Sequence, residues 1–184
     1  MLSEEDKRLL LEVARASVEA GLTSGRPLPV RPEDFPDTLA RPGACFVTLK
    51  LAGRLRGCIG SLEAHRPLVV DCAENAFAAA FRDPRFPPVS AAEFPHLEYH
   101  LSVIGPLEPL HFRDEGELLA KLRPGVDGLV LAEGPRRATF LPAVWRELPD
   151  PAQFLAHLKQ KAGLPPDYWS DRLRAWRYRV EEFP

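Results

Sequence analysis

The run Ala44-Cys45-Phe46-Val47-Thr48-Leu49-Lys50, then Ala52-Gly53, then Arg54–Ile59, restricts the fold of this chain more than any other stretch. Aromatic and β-branched residues favour a strand, and a small residue followed by glycine suits a tight turn. The second run can then return antiparallel to the first, which makes a hairpin. Strand alternation predicts Leu55, Gly57 and Ile59 on one face, with Arg56 and Cys58 sharing the other.

Helical spacing dominates on both sides of this hairpin. Ser3 is placed to cap a helix that opens with Glu4, Glu5 and Asp6, carries an apolar stripe from Leu9 to Val18, and ends at Gly21. Residues 22–43, rich in proline and glycine, read as an irregular connector anchored by Phe35. Pro67 starts a second helix, and Pro84, Pro87 and Pro88 stop it near Phe81 or Arg82. A strand is expected over His96–Pro106, a short helix over Asp114–Leu122, and a hairpin from Asp127–Glu133 and Arg137–Leu141. An amphipathic helix over Pro151–Ala162, a short helical piece around Tyr168 and Trp169, and a final strand over Arg174–Phe183 complete the reading. Hairpins separated by helices, without a βαβ rhythm, predict an α+β class with a mixed or antiparallel sheet.

At 184 residues the chain fits one domain or two intimately packed lobes. A formal net charge of -2 supplies no global field for nucleic acid or an anionic membrane. Arg172, Arg174, Arg177 and Arg179, interleaved with Trp176 and Tyr178, make the best nucleic-acid footprint, but Glu181 and Glu182 follow at once. An RNA-binding role is therefore a minor reading. The acidic start Met-Leu-Ser-Glu-Glu-Asp-Lys does not read as a secretory signal, and no apolar run is long enough for a membrane span, so a cytoplasmic location is expected. Cysteines at 45, 58 and 72 form neither a disulfide framework nor a Cys-x-x-Cys pair, and no compact ligand motif points to a metal or another cofactor.

The candidate site gathers around Arg56-Gly57-Cys58-Ile59-Gly60. Gly57 and Gly60 suit close backbone approach or a turn with positive φ, and exposed amides there would suit an anion. Cys58 is a nucleophile if positive charge lies close by, and a small buried filler if it does not. Arg56 is the nearest such charge. Arg85, presented by the stiff Asp83-Pro84-Arg85-Phe86-Pro87-Pro88 loop, either clamps an anionic substrate or closes a latch with Asp83. His65, five residues beyond Gly60, is a candidate base. His100 points away from its apolar strand neighbours, toward solvent or a cleft.

Several motifs resemble the AMMECR family, named after a human chromosomal-deletion region. They are Leu55-Arg56-Gly57-Cys58-Ile59-Gly60-Ser61, the Ala44–Leu49 strand, Ala78–Pro88, Thr139-Phe140-Leu141-Pro142, and Lys161-Ala162-Gly163-Leu164 with Tyr168-Trp169. The resemblance spans the chain. It implies an α+β fold with a large lobe from both chain ends, a smaller inserted lobe, and a cleft lined by the Arg-Gly-Cys-Ile-Gly segment. Where relatives often carry His-Gly-Leu, this chain has Asp127-Gly128-Leu129, so Asp127 is either a carboxylate base or a turn cap. Prokaryotic relatives are frequently encoded with, or fused to, a Memo-like protein and a radical S-adenosylmethionine enzyme. This implies such partners here, although the chain lacks the Cys-x-x-x-Cys-x-x-Cys motif of that radical chemistry. The resulting expectation is a cysteine-dependent enzyme acting on a small anionic substrate or in a modification pathway. The alternative is a noncatalytic adaptor for those partners.

Overall fold

The computed structural model describes residues 1–184. In chain order the first elements are α1 (Glu4–Ser24), α2 (Asp37–Ala40), β1 (Pro42–Leu51), β2 (Arg54–Gly60), β3 (Arg66–Pro67), α3 (Leu68–Phe81) and β4 (Leu97–Ile104). Then follow β5 (Glu108–Leu110), α4 (Glu115–Lys121), β6 (Gly128–Glu133), β7 (Arg136–Phe140), α5 (Pro151–Lys161), β8 (Arg174–Tyr178) and β9 (Val180–Phe183). The class is α+β with antiparallel sheets, as expected. The chain divides into a larger unit, Met1–Ile104 with Glu181–Pro184, and a smaller one, Gly105–Val180. Both chain ends therefore build the larger unit. No helix is long and apolar enough to cross a membrane.

The larger unit is a five-stranded sheet ordered β2-β1-β4-β9, with β3 paired to the start of β1. Alternate residues of β1, namely Cys45, Val47 and Leu49, are fully buried in one core with Leu10, Val18, Val69, Cys72 and Ala76 from α1 and α3. The small residues Ala73, Ala76, Ala79 and Ala80 let α3 lie close to its neighbours, and Ser17 of α1 donates to the Ala73 carbonyl at 2.6 Å. Burial of each valine or leucine of this core contributes about 1.5–3 kcal/mol before conformational entropy is counted. The intervening residues, Thr48 and Lys50 on β1 and His100 and Ser102 on β4, face away from the helices and line a groove.

Buried polar groups fix the approach to α3. Asp71 is fully buried and accepts from the Cys45 amide at 2.9 Å, Ser61 Oγ at 2.8 Å, Arg66 Nε at 2.7 Å and Asn75 Nδ2 at 3.0 Å. Four donors satisfy the carboxylate, which ties β1, the segment after β2 and the first turn of α3 together.

The smaller unit carries a four-stranded sheet ordered β5-β8-β6-β7. Its core contains Leu118, Leu129, Leu131, Trp145, Phe154, Leu155 and Leu158. Trp145 stacks on Phe154 with ring centroids 3.7 Å apart.

Three boundaries differ from expectation. Helix α1 runs past Gly21 to a left-handed cap at Gly25, because Phe77 and Phe81 of α3 fill the space where a Gly21 side chain would stand. The expected strand over 174–183 is two strands in different sheets. It breaks at Arg179, whose carbonyl accepts from the Gly105 amide at 2.7 Å, so the ladder does not continue through it. The segment at Tyr168 and Trp169 is a turn closed by the Tyr168 amide on the Pro165 carbonyl at 3.1 Å. The connector does contain its Phe35 anchor, packed against the larger core, together with the short α2.

Candidate functional site

The hairpin forms as its sequence dictates. Ala52 and Gly53 both take positive φ, 51° and 75°, the twist that a two-residue hairpin turn demands. Register then slips by one residue: Leu49 pairs with Gly57, but Lys50 pairs with Leu55. Arg56 is the extra residue of a β-bulge.

The bulge changes what shares a face. Gly57 lies against α3, where any β-carbon would overlap the Ala79 carbonyl oxygen. Arg56 turns toward the loop that follows α3. There Nε donates to Glu93 Oε2 at 2.7 Å, and Nη2 donates to the Pro87 carbonyl at 2.8 Å and to Glu93 Oε1 at 3.2 Å. Cys58 instead faces Thr48, with Sγ and Oγ1 3.2 Å apart. Arg56 and Cys58 therefore do not share a face, and the alternation argument fails at the bulge. The Arg56 side chain is only 9% exposed and its Nη1 is buried without a partner. It is a structural clamp on the 87–93 loop. Hydrogen bonds from Arg56, then from the Ser90 amide, hold Glu93 down at about 2.

Arg85 and Asp83 form the latch, and they form it on Cys58. β2 is an edge strand, and its Cys58 amide points outward to Asp83 Oδ2 at 3.0 Å. Asp83 also accepts from the Arg85 amide and Nε, both at 3.0 Å, and from Arg85 Nη2 at 2.7 Å. Arg85 foremost, with the Cys58 and Arg85 amides, keeps this buried carboxyl well below the usual carboxylate range, against its burial. The Arg85 side chain stays 55% exposed. The anion held by the Cys58 amide is thus the protein's own carboxylate. The motif itself is strand rather than turn, and neither Gly57 nor Gly60 has positive φ. Gly60 is required because Phe46 lies across it.

The two remaining candidates are engaged elsewhere. His65 is exposed, with Nδ1 3.0 Å from the Glu63 carbonyl. Asp127, in the smaller unit, is fully buried and accepts from Arg123 through its amide at 3.0 Å, Nε at 3.1 Å and Nη2 at 2.7 Å. Its carboxylate is thus engaged within the 123–127 turn, and its backbone carbonyl also takes the Trp145 indole at 2.7 Å.

Two residues that the sequence did not mark as a pair complete the site. Thr48 pairs with Cys58 on one side and with His100 on the other, so Cys58, Thr48 and His100 make one row across three strands. Thr48 and His100 also line the open groove, about 290 Å³, together with Lys50, Ser102 and Glu182. The signal was the strand period itself, which puts Thr48 and His100 opposite the buried faces of β1 and β4. Cys45 and Cys72 are fully buried, and the Cys45 thiol is pushed up by the neighbouring Cys72 sulfur and then by burial. No group of three or more His, Cys, Asp or Glu side chains is placed to hold a metal ion.

Comparison with known proteins follows the same outline. The AMMECR1 family model matches residues 11–183. The chain belongs to the AMMECR1 family. A protein of Methanothermobacter thermautotrophicus is 38% identical over 184 residues, covering 99% of this chain and 95% of its own length. A protein of Methanocaldococcus jannaschii is 35% identical, covering 100% and 92%. In structure, this AMMECR1 chain is similar to the uncharacterised protein PH0010 from Pyrococcus horikoshii. The TM-score is 0.83 and the identity 33%, with 98% of this chain and 92% of that one covered.

Proposed function

We propose that the larger unit is a cysteine-dependent enzyme that acts on a small anionic substrate at Cys58. The observation that carries this reading is the seat of the sulfur. Of three thiols only Cys58 is not buried; its sulfur lies beside the Thr48 hydroxyl, and its backbone amide shares Asp83 with the half-exposed Arg85 guanidinium. A carboxylate or phosphate meeting Arg85 would bring its carbon chain to the edge strand that holds the sulfur.

The assignment of roles follows from the partners. Asp83 is held ionised so firmly that it is a poor proton acceptor; it positions Arg85 and the Cys58 backbone. Glu93 does the same for Arg56. Among side chains of this unit, Thr48 is the one in hydrogen-bond contact with Sγ, and His100 stands next in the row. A proton leaving the sulfur would pass by way of Thr48 or directly to water. His65 has no part in this scheme.

A second reading is favoured by one specific observation: both arginines of the motif region are already paired, Arg56 with Glu93 and Arg85 with Asp83. That suits a noncatalytic adaptor whose partners are a Memo-like protein and a radical S-adenosylmethionine protein. Intact-mass spectrometry after incubation with small acids activated as thioesters or acyl phosphates separates the two readings. Transfer to the sulfur, with loss of the thiol or phosphate leaving group, predicts an acyl adduct on Cys58 that is absent in Cys58→Ala. No adduct and no turnover, with a Memo-like complex that survives Cys58→Ala, would establish the adaptor reading instead.

A further inference from the structure

The smaller unit has a groove of about 480 Å³ where the β6–β7 turn meets the segment after α5. This volume lies in the range of small-molecule sites. One wall is apolar, made by Leu164, Pro165 and the ring of Tyr168. The other carries charge. Glu133, with a side chain only 11% exposed, accepts from the Tyr168 hydroxyl at 3.0 Å and lies 3.7 Å from Arg172 Nε. The Ser170 hydroxyl first, and Tyr168 after it, keep that carboxyl below its ordinary value. Arg136, opposite Glu133 in the β6–β7 ladder, reaches the Gly163 carbonyl through Nη1, and its charge also acts on Glu133. Arg172 is 84% exposed, and its contact with Glu133 is long for a charge-assisted bond. Two guanidiniums thus face the groove against one carboxylate that is already engaged.

We propose that this groove is a binding site for a small organic anion with an apolar body. The anionic head would be held by Arg172 and Arg136, and the body would lie on Leu164, Pro165 and Tyr168. A guanidinium fork accepts carboxylate and phosphate alike, and a flat apolar wall of this size suits a ring or a branched chain. Nothing in the inference rests on the Cys58 reading, and the two fail separately.

The test is titration of the full chain with phenylacetate, phenyl phosphate and benzyl alcohol, followed through backbone amide shifts. Saturable shifts at Gly134, Arg136, Leu164 and Tyr168 with either anion support the site, and the tighter of the two identifies the head group. Arg172→Ala, at an exposed position, should weaken that binding about tenfold and leave the fold intact. Added salt should weaken it further. Benzyl alcohol binding as well as the anions, an Arg172→Ala variant of unchanged affinity, or no shift at these residues with any probe would overturn the proposal.

Discussion

Substitution of Asp83 by asparagine tests the arrangement around Cys58 with little change of shape. The wild-type carboxylate accepts four hydrogen bonds, three from Arg85 and one from the Cys58 amide. Asparagine keeps one acceptor oxygen and turns a donor toward another donor. Loss of two charge-assisted bonds at about 1.5–3 kcal/mol each sets the upper bound. Because Arg85 is 55% exposed and solvated, the expected cost is smaller, about 2–3 kcal/mol. For a chain of this length that lowers Tm by about 5–10 °C. The pH dependence has a definite sign. Asp83 has a depressed folded pKa, so its contribution is fully present above the unfolded value of about 3.9 and is lost as pH falls toward the folded value. Urea unfolding of both proteins should therefore show a gap at about pH 7 that narrows below about pH 4. A gap under about 0.5 kcal/mol at neutral pH, or one that does not narrow in acid, would refute the latch.

Two further substitutions probe the supports of the site. Gly57→Ala forces a methyl group into the Ala79 carbonyl, and chemical denaturation should show a loss of about 3 kcal/mol or more; a neutral result would mean that α3 does not lie where described. Glu93→Gln leaves the buried Arg56 guanidinium with a neutral partner, and a loss of about 2 kcal/mol at neutral pH is expected. That contribution too should fade as the wild type is acidified from about pH 4.3 toward the Glu93 value of about 2. An unchanged unfolding midpoint would remove Arg56 from its role as a clamp.

Much of this was legible in the sequence because it depends on neighbours along the chain. The hairpin at 42–60 follows from strand formers on either side of Ala52-Gly53, and the Asp83–Arg85 latch from two residues in one stiff loop. What escaped depends on distant contacts. A single-residue bulge at Arg56 separates it from Cys58, and nothing in local alternation announces one. Glu93, the partner of Arg56, lies 37 residues away. Asp71 reads as one charge in an apolar helix until Cys45, Ser61, Arg66 and Asn75 converge on it. Gly21 reads as a terminator, but a glycine stands there because Phe77 and Phe81 of a different helix claim the space of a side chain. The Thr48–His100 pairing needed the β1–β4 register, which period alone does not supply.

The proposed chemistry requires Cys58 to be an accessible thiol within reach of the Arg85 charge. Alkylation of the folded protein with iodoacetate and iodoacetamide, read by peptide mass spectrometry, measures both properties. Modification is expected at Cys58 with Cys45 and Cys72 spared, with a rate ratio favouring the anionic reagent that falls in Arg85→Gln. A Cys58 that reacts only on unfolding, or a rate ratio indifferent to Arg85, would contradict it.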